Sequence, residues 1–187
     1  MTLKESLIFY HLILFLIISR FSKKTFRTIL YQMKADIFVK TYIKCGENYI
    51  DFFDFTGPVK DADYIDGAVE LSVNGVCLID KSMYDYIDQL WSYLAEGLSI
   101  INKGETFETY FPDQPIAVKI VSDKNNILIS VHCHSEVKVY VNKNIFLLKI
   151  AEHARAFFEH LKTIDPSSDK ASDLSLLFLN EVSKENK

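Results

Sequence analysis

Four histidines have spacings that metal sites use. His132 and His134 are two residues apart on a predicted strand, so their imidazoles share one face. His153 and His160 lie seven residues apart on one side of a predicted helix. Catalytic zinc sites take three protein ligands, and imidazole is a common one. A metal-dependent enzyme is therefore an alternative function if the two pairs meet, but the strand pair lies on a predicted wet face. This favours surface histidines, and no cofactor is predicted.

The sequence contains no convincing nucleophile. Cys133 stands between His132 and His134, but neighbours on a strand point to opposite faces, so this is no Cys–His pair. No G-x-S-x-G elbow occurs, and the six glycines form no phosphate-binding loop. The three cysteines are far apart with no C-x-x-C spacing, which predicts small buried thiols in a reducing, cytoplasmic compartment. These observations favour a non-enzymatic protein.

Acidic residues form the strongest polar pattern. Residues 51–70 contain six acids and a single base, Lys60. Counted from Asp61, this segment fails the calcium-loop pattern, because position 5 is Ile65 and position 12 is Ser72. A field of this sign would steer a basic protein partner. The rigid segment Pro112–Pro115 would expose two further polar groups. The predicted partner-binding residues are Asp51, Asp54, Asp61, Asp63, Asp66, Glu70, Asp113 and Gln114.

Composition sets the class of the protein. A hydrophobic fraction of 49% with 13% aromatics predicts a folded domain. The net charge of −4 is uneven, because residues 1–32 hold five bases and one acid, which leaves −8 for residues 33–187. An acidic body disfavours nucleic acid as a partner.

The first 32 residues form a hydrophobic and basic extension. Residues 7–18 are apolar except for His11, and a membrane-spanning helix needs about 20 such residues. Three interpretations stay open: an upstream artefact or disordered extension, a membrane anchor, and a cleaved signal. As an anchor, the run would hold the domain at the cytoplasmic face of a membrane. The predicted organisation is this extension, one domain at 33–165, and a polar tail at 166–187.

Two local signals are strong. Asn74-Gly75 lies between apolar runs and predicts a two-residue hairpin turn. Apolar residues recur every three or four positions from 82 to 104, which predicts an amphipathic helix capped by Ser82 and ended by Gly104. Trp91 is predicted to be a core anchor, and Gly97 predicts close packing against the helix.

The remaining elements complete an α+β pattern. Alternating residues predict strands within 36–55 and 106–142, and a second helix is predicted at 145–164 with Asn144 as its cap. A short docking helix is predicted at 174–179. The prediction is one antiparallel sheet of six to eight strands with two amphipathic helices on one face.

Taken together, these features favour a non-enzymatic protein-binding module, a small immunity- or inhibitor-type protein with an acidic face for a basic partner. Metal-dependent catalysis and a membrane-tethered domain are the alternatives.

Overall fold

The computed structural model describes residues 35–185 except 60, 62 and 63. The N-terminal extension, its apolar run at 7–18, Lys60 and Asp63 lie outside the described residues. Within the described part, no helix is long and apolar enough to cross a membrane.

The first sheet has five antiparallel strands. They are β1 (Ile37–Cys45), β2 (Asn48–Asp51), β3 (Asp66–Val73), β4 (Val76–Ile79) and β5 (Asp85–Tyr86). Their order is β2-β1-β3-β4, and β5 pairs with the start of β3. The β3–β4 turn is the predicted hairpin: Asn74 and Gly75 have φ angles of 52° and 77°, as a type I′ turn requires.

The second sheet has four antiparallel strands in sequence order. They are β6 (Phe107–Tyr110), β7 (Ala117–Asp123), β8 (Asn126–His132) and β9 (Glu136–Asn142). On β8 the predicted alternation is seen except at Ser130, which shares the predicted exposed face but is buried. Ile127, Ile129 and Val131 are buried, whereas His132 is exposed.

Three helices complete the fold: α1 (Ile87–Asn102), α2 (Lys143–Ile164) and α3 (Asp169–Glu185). The cap of α2 is Asn142 instead of the predicted Asn144, because the Asn142 side chain accepts a hydrogen bond from the Ile145 amide. Gly104 ends α1 with a φ angle of 85°, as predicted. The predicted cap at Ser82 is wrong: Ser82 lies in a 3-10 turn after Asp80, and α1 begins five residues later.

The helices and both sheets share one hydrophobic core. Trp91 is 1% exposed, which confirms the predicted anchor. A Cβ atom on Gly97 would lie 2.5 Å from the Phe107 ring, which confirms the predicted close packing. A cavity of about 20 Å³ between the sheets is lined by apolar side chains from α1, α2 and both sheets.

The α+β class is confirmed, with two corrections. Among the described residues, the strands form two sheets of five and four strands instead of one, and there are three helices instead of two. The tail is also more structured than predicted. Leu179 and Val182 of α3 are fully buried, so this helix covers part of the core instead of forming a polar end. The prediction of three buried thiols is also wrong, because Cys77 is exposed and Cys45 and Cys133 are partly exposed.

Candidate protein-binding surface

A surface that we call the Tyr86 patch consists of Tyr64, Asp66, Tyr86 and Asp113. Asp66 on β3 is paired with Tyr86 on β5, which places these two residues side by side. The rings of Tyr64 and Tyr86 lie 5.0 Å apart, and Tyr64 is 53% exposed. The patch therefore presents two aromatic rings beside two exposed carboxylates.

The Tyr86 patch is negatively charged. The pKa of Tyr86 is raised above its ordinary value, first by the charge of Asp113, then by burial and by the charges of Asp66 and Asp85. Neither Asp66 nor Asp113 forms an ion pair with another described residue. The arrangement favours a cation, which a tyrosine ring and a carboxylate both attract.

A buried carboxylate holds Asp113 in this position. Asp85 is 4% exposed, and it accepts backbone N–H bonds from Tyr86 at 2.7 Å and from Asp113 and Gln114 at 3.1 Å. The Gln114 side chain donates to the Tyr84 carbonyl. The segment that contains Asp113 is therefore held by hydrogen bonds from its backbone amides and from the Gln114 side chain.

A second surface, the Tyr42 face, lies on the outer side of the first sheet. It consists of Lys40, Tyr42, Tyr49, Asp51, Glu70 and Lys81. Lys40 lies 2.9 Å from Asp51, and Lys81 lies 3.9 Å from Glu70. The Tyr42 hydroxyl donates to Glu70 at 2.6 Å. Two of the predicted partner-binding acids are therefore engaged within the protein itself.

Lysines also cover the tyrosine rings of this face. The Lys81 ammonium lies 3.8 Å from the centre of the Tyr42 ring, and Tyr42 is only 8% exposed. Burial acts to raise the pKa of Asp51, but hydrogen bonds from Lys40 and from the Phe53 amide outweigh it and lower the pKa. On the Tyr42 face, the charges of the acids are therefore compensated by neighbouring lysines.

The other predicted partner-binding residues are dispersed. Asp54 and Asp61 are exposed, Asp63 lies outside the described residues, and Gln114 is partly exposed. The structure brings Asp66 together with Asp113, which sequence reasoning had placed in separate segments.

His153 has an internal role. Trp91 donates its indole N–H to the Thr41 hydroxyl at 3.0 Å, and that hydroxyl lies 2.8 Å from His153 Nε2. Because Thr41 is fully buried, its hydroxyl proton is satisfied by donation to a neutral imidazole. Burial, followed by the charge of Lys149, lowers the pKa of His153 to about 4. His153 therefore stabilises the contact between β1, α1 and α2.

The histidines do not form the alternative metal site. His160 donates to the Phe55 carbonyl at 2.9 Å, whereas His132 and His134 are exposed at the β8–β9 hairpin. Within the described residues, no group of three or more His, Cys, Asp or Glu residues is placed to hold a metal ion. The alternative of one shared site from the two histidine pairs therefore finds no support in this part of the chain.

Two carboxyl groups interact near the start of α1 and the end of α2. Burial raises the pKa of Asp88, and the charge of Asp165 adds to this effect. Asp165 is 8% exposed and accepts hydrogen bonds from the Ser167 amide and hydroxyl through Oδ1. A carboxyl pair can support acid–base chemistry, but the burial of Asp165 leaves little access for a substrate.

Comparisons with protein-family models, curated proteins and solved structures found no match to this chain. The only support for a role of the Tyr86 patch is therefore its own geometry. Sequence reasoning missed Tyr86 and Asp85 because both were assigned to the start of the helix. The signal for them is weak, since β5 is only two residues long.

Proposed function

We propose that this chain is a non-enzymatic protein-binding module and that its Tyr86 patch contacts a basic surface of a protein partner. The observation that supports this most directly is the position of Asp66 and Asp113 beside two accessible tyrosine rings. A lysine or arginine side chain of the partner would gain both charge pairing and ring contact there.

The rigidity of the patch also supports a binding role. Asp66 and Tyr86 lie on paired strands, and the segment of Asp113 is tied to Asp85 by backbone hydrogen bonds. A surface that is ordered before association loses less conformational entropy when a partner binds. A small immunity- or inhibitor-type protein would use such a surface to cover the basic site of its partner.

The proposal is tested by charge reversal. The full chain is used to isolate a partner, and the dissociation constant is then measured for wild type and for Asp66→Lys/Asp113→Lys. Reversing two charges at the centre of the interface should weaken binding by about 10- to 100-fold or more. Raising the ionic strength from about 50 to about 300 mM should weaken the wild-type complex as well.

Asp123→Lys is the matched control for these reversals. Asp123 is exposed at the β7–β8 turn, at the opposite end of β7 from the segment that contains Asp113. This variant changes the net charge by the same amount per site but leaves the Tyr86 patch intact. Equal loss of binding in the control, or unchanged binding in the double variant, would contradict the proposal.

A further inference from the structure

In the segment from Phe111 to Ile116, two of the backbone amides depend on Asp85 for their hydrogen bonds. Pro112 and Pro115 have no N–H group, so Asp113 and Gln114 supply the amides between them. Both of these amides donate to the Asp85 carboxylate at 3.1 Å. The segment is closed at its base by a 2.9 Å bond from the Phe111 amide to the Ile116 carbonyl.

We infer that Asp85 is a positioning residue for the Tyr86 patch, because its buried carboxylate holds Asp113 beside Tyr86 before a partner binds. This role deepens the proposed function and rests on it for its effect on binding. Asp85 itself is 4% exposed, so it acts through Asp113 instead of touching a partner.

An amide cannot replace this carboxylate. Asp85 Oδ1 accepts from the amides of Tyr86 and Asp113, and Oδ2 accepts from the amides of Asp113 and Gln114. In Asp85→Asn, one of the two oxygens becomes an NH₂ group, which donates and does not accept. In either orientation of the amide, the NH₂ group faces a backbone N–H, and two donors cannot form a hydrogen bond. The substitution therefore weakens the attachment of the segment, with almost no change in side-chain volume.

The test is a double-mutant cycle on the pKa of Tyr86. The full chain is labelled with ¹³C at tyrosine Cζ, the Tyr86 signal is assigned with Tyr86→Phe, and the shift is followed between about pH 9 and 11. Asp113→Asn should lower the pKa of Tyr86 in the wild-type background. In the Asp85→Asn background, the same substitution should have a smaller effect, less than about half, because Asp113 is held less firmly there.

The cycle separates the positioning of Asp113 by Asp85 from the direct effect of the Asp85 charge on the pKa of Tyr86. Asp85 also raises the pKa of Tyr86 through its own charge, so the single variant alone would be ambiguous. Equal effects of Asp113→Asn in the two backgrounds would overturn the inference.

Amide exchange in the wild-type chain provides a readout that does not depend on a folded variant. The amides of Asp113 and Gln114 should exchange at least about tenfold more slowly than unstructured amides. Exchange at the unstructured rate would overturn the inference even if Asp85→Asn does not fold. Neither measurement involves a partner, so failure of the proposed function and failure of the positioning role give different results. If both hold, Asp85→Asn should weaken partner binding by roughly 3- to 10-fold.

Discussion

Asp51 and Glu70 on the Tyr42 face have Lys40 and Lys81 at 2.9 and 3.9 Å, whereas Asp66 and Asp113 in the Tyr86 patch have no ion-pair partner among the described residues. Both surfaces combine tyrosines with carboxylates, and both include residues of the first sheet. The difference lies in the bases: β1 and the turn after β4 supply lysines to the first surface. Acidity along the sequence therefore does not identify the negative surface. Contacts between separate segments of the chain decide which acids are compensated.

Gly67 lies on β3 between β1 and β5, and its substitution should have the largest effect. It pairs with Ile43 on β1 and with Asp85 on β5. A Cβ atom there would overlap the Tyr42 carbonyl oxygen and lie 2.8 Å from Ile87. Gly67→Ala should lower the free energy of unfolding by about 2–4 kcal/mol in chemical denaturation.

Gly57→Ala is the control for this backbone contact, because its Cβ would lie 3.3 Å from the Phe55 ring, a side chain that can adjust. It should change stability by less than about 1 kcal/mol. Similar losses in the free energy of unfolding for both glycine variants would contradict a specific effect of the backbone contact at Gly67.

The pH dependence of stability tests the role of His153, which contacts Thr41 on the inner side of β1, beneath the Tyr42 face. The folded-state pKa of His153, about 4, lies below its ordinary value of 6.5. Between these values the unfolded chain binds a proton that the folded chain does not, so stability falls as the pH falls. The contribution lost by pH 4 is up to about 3 kcal/mol.

Denaturation at a series of pH values checks this, with His153→Gln as the variant that cannot titrate. The variant should show a smaller loss between pH 6.5 and 4, whatever its stability at neutral pH. Identical pH profiles for the two proteins would contradict the role of His153.

Single neutralisations compare the two surfaces directly. Asp113→Asn should weaken partner binding by roughly 3- to 10-fold, since it removes one uncompensated charge from the Tyr86 patch. Asp51→Asn should leave binding unchanged, because Lys40 already pairs with that carboxylate. Titration calorimetry with the isolated partner measures both, and a larger loss from Asp51→Asn would reverse the assignment of the surfaces.

The smallest effect is expected from Tyr42→Phe. Removing the hydroxyl breaks the 2.6 Å bond to Glu70, which should lower the free energy of unfolding by about 0.5–1.5 kcal/mol. Binding should not change. Tyr140→Phe, at a residue that is 58% exposed on the second sheet, is the control and should be neutral in the same denaturation experiment.

Local chemistry made several elements predictable. Asn74-Gly75 and Gly104 adopt the positive φ angles that their sequence contexts indicated, and Trp91 occupies the core. These features depend on turn geometry and on helical spacing, which are encoded within a few residues.

Long-range pairing limited the other predictions. Tyr84-Asp-Tyr86 fits a helix start as well as a strand, and only pairing with β3 assigns Asp85 and Tyr86 to β5. Sequence reasoning also could not see that Lys40 and Lys81 lie beside Asp51 and Glu70, because these contacts join separate strands. For the same reason, sequence reasoning could not join Asp66 and Asp113 into one patch.

The most direct test of the central claim is an NMR titration of the full ¹⁵N-labelled chain with its isolated partner. Amide signals of the Tyr86 patch, those of Tyr64, Asp66, Tyr86 and Asp113, should shift or broaden on binding. Signals of Lys40, Tyr42 and Glu70 should stay in place. Perturbation centred on the Tyr42 face, with the Tyr86 patch unchanged, would contradict the account.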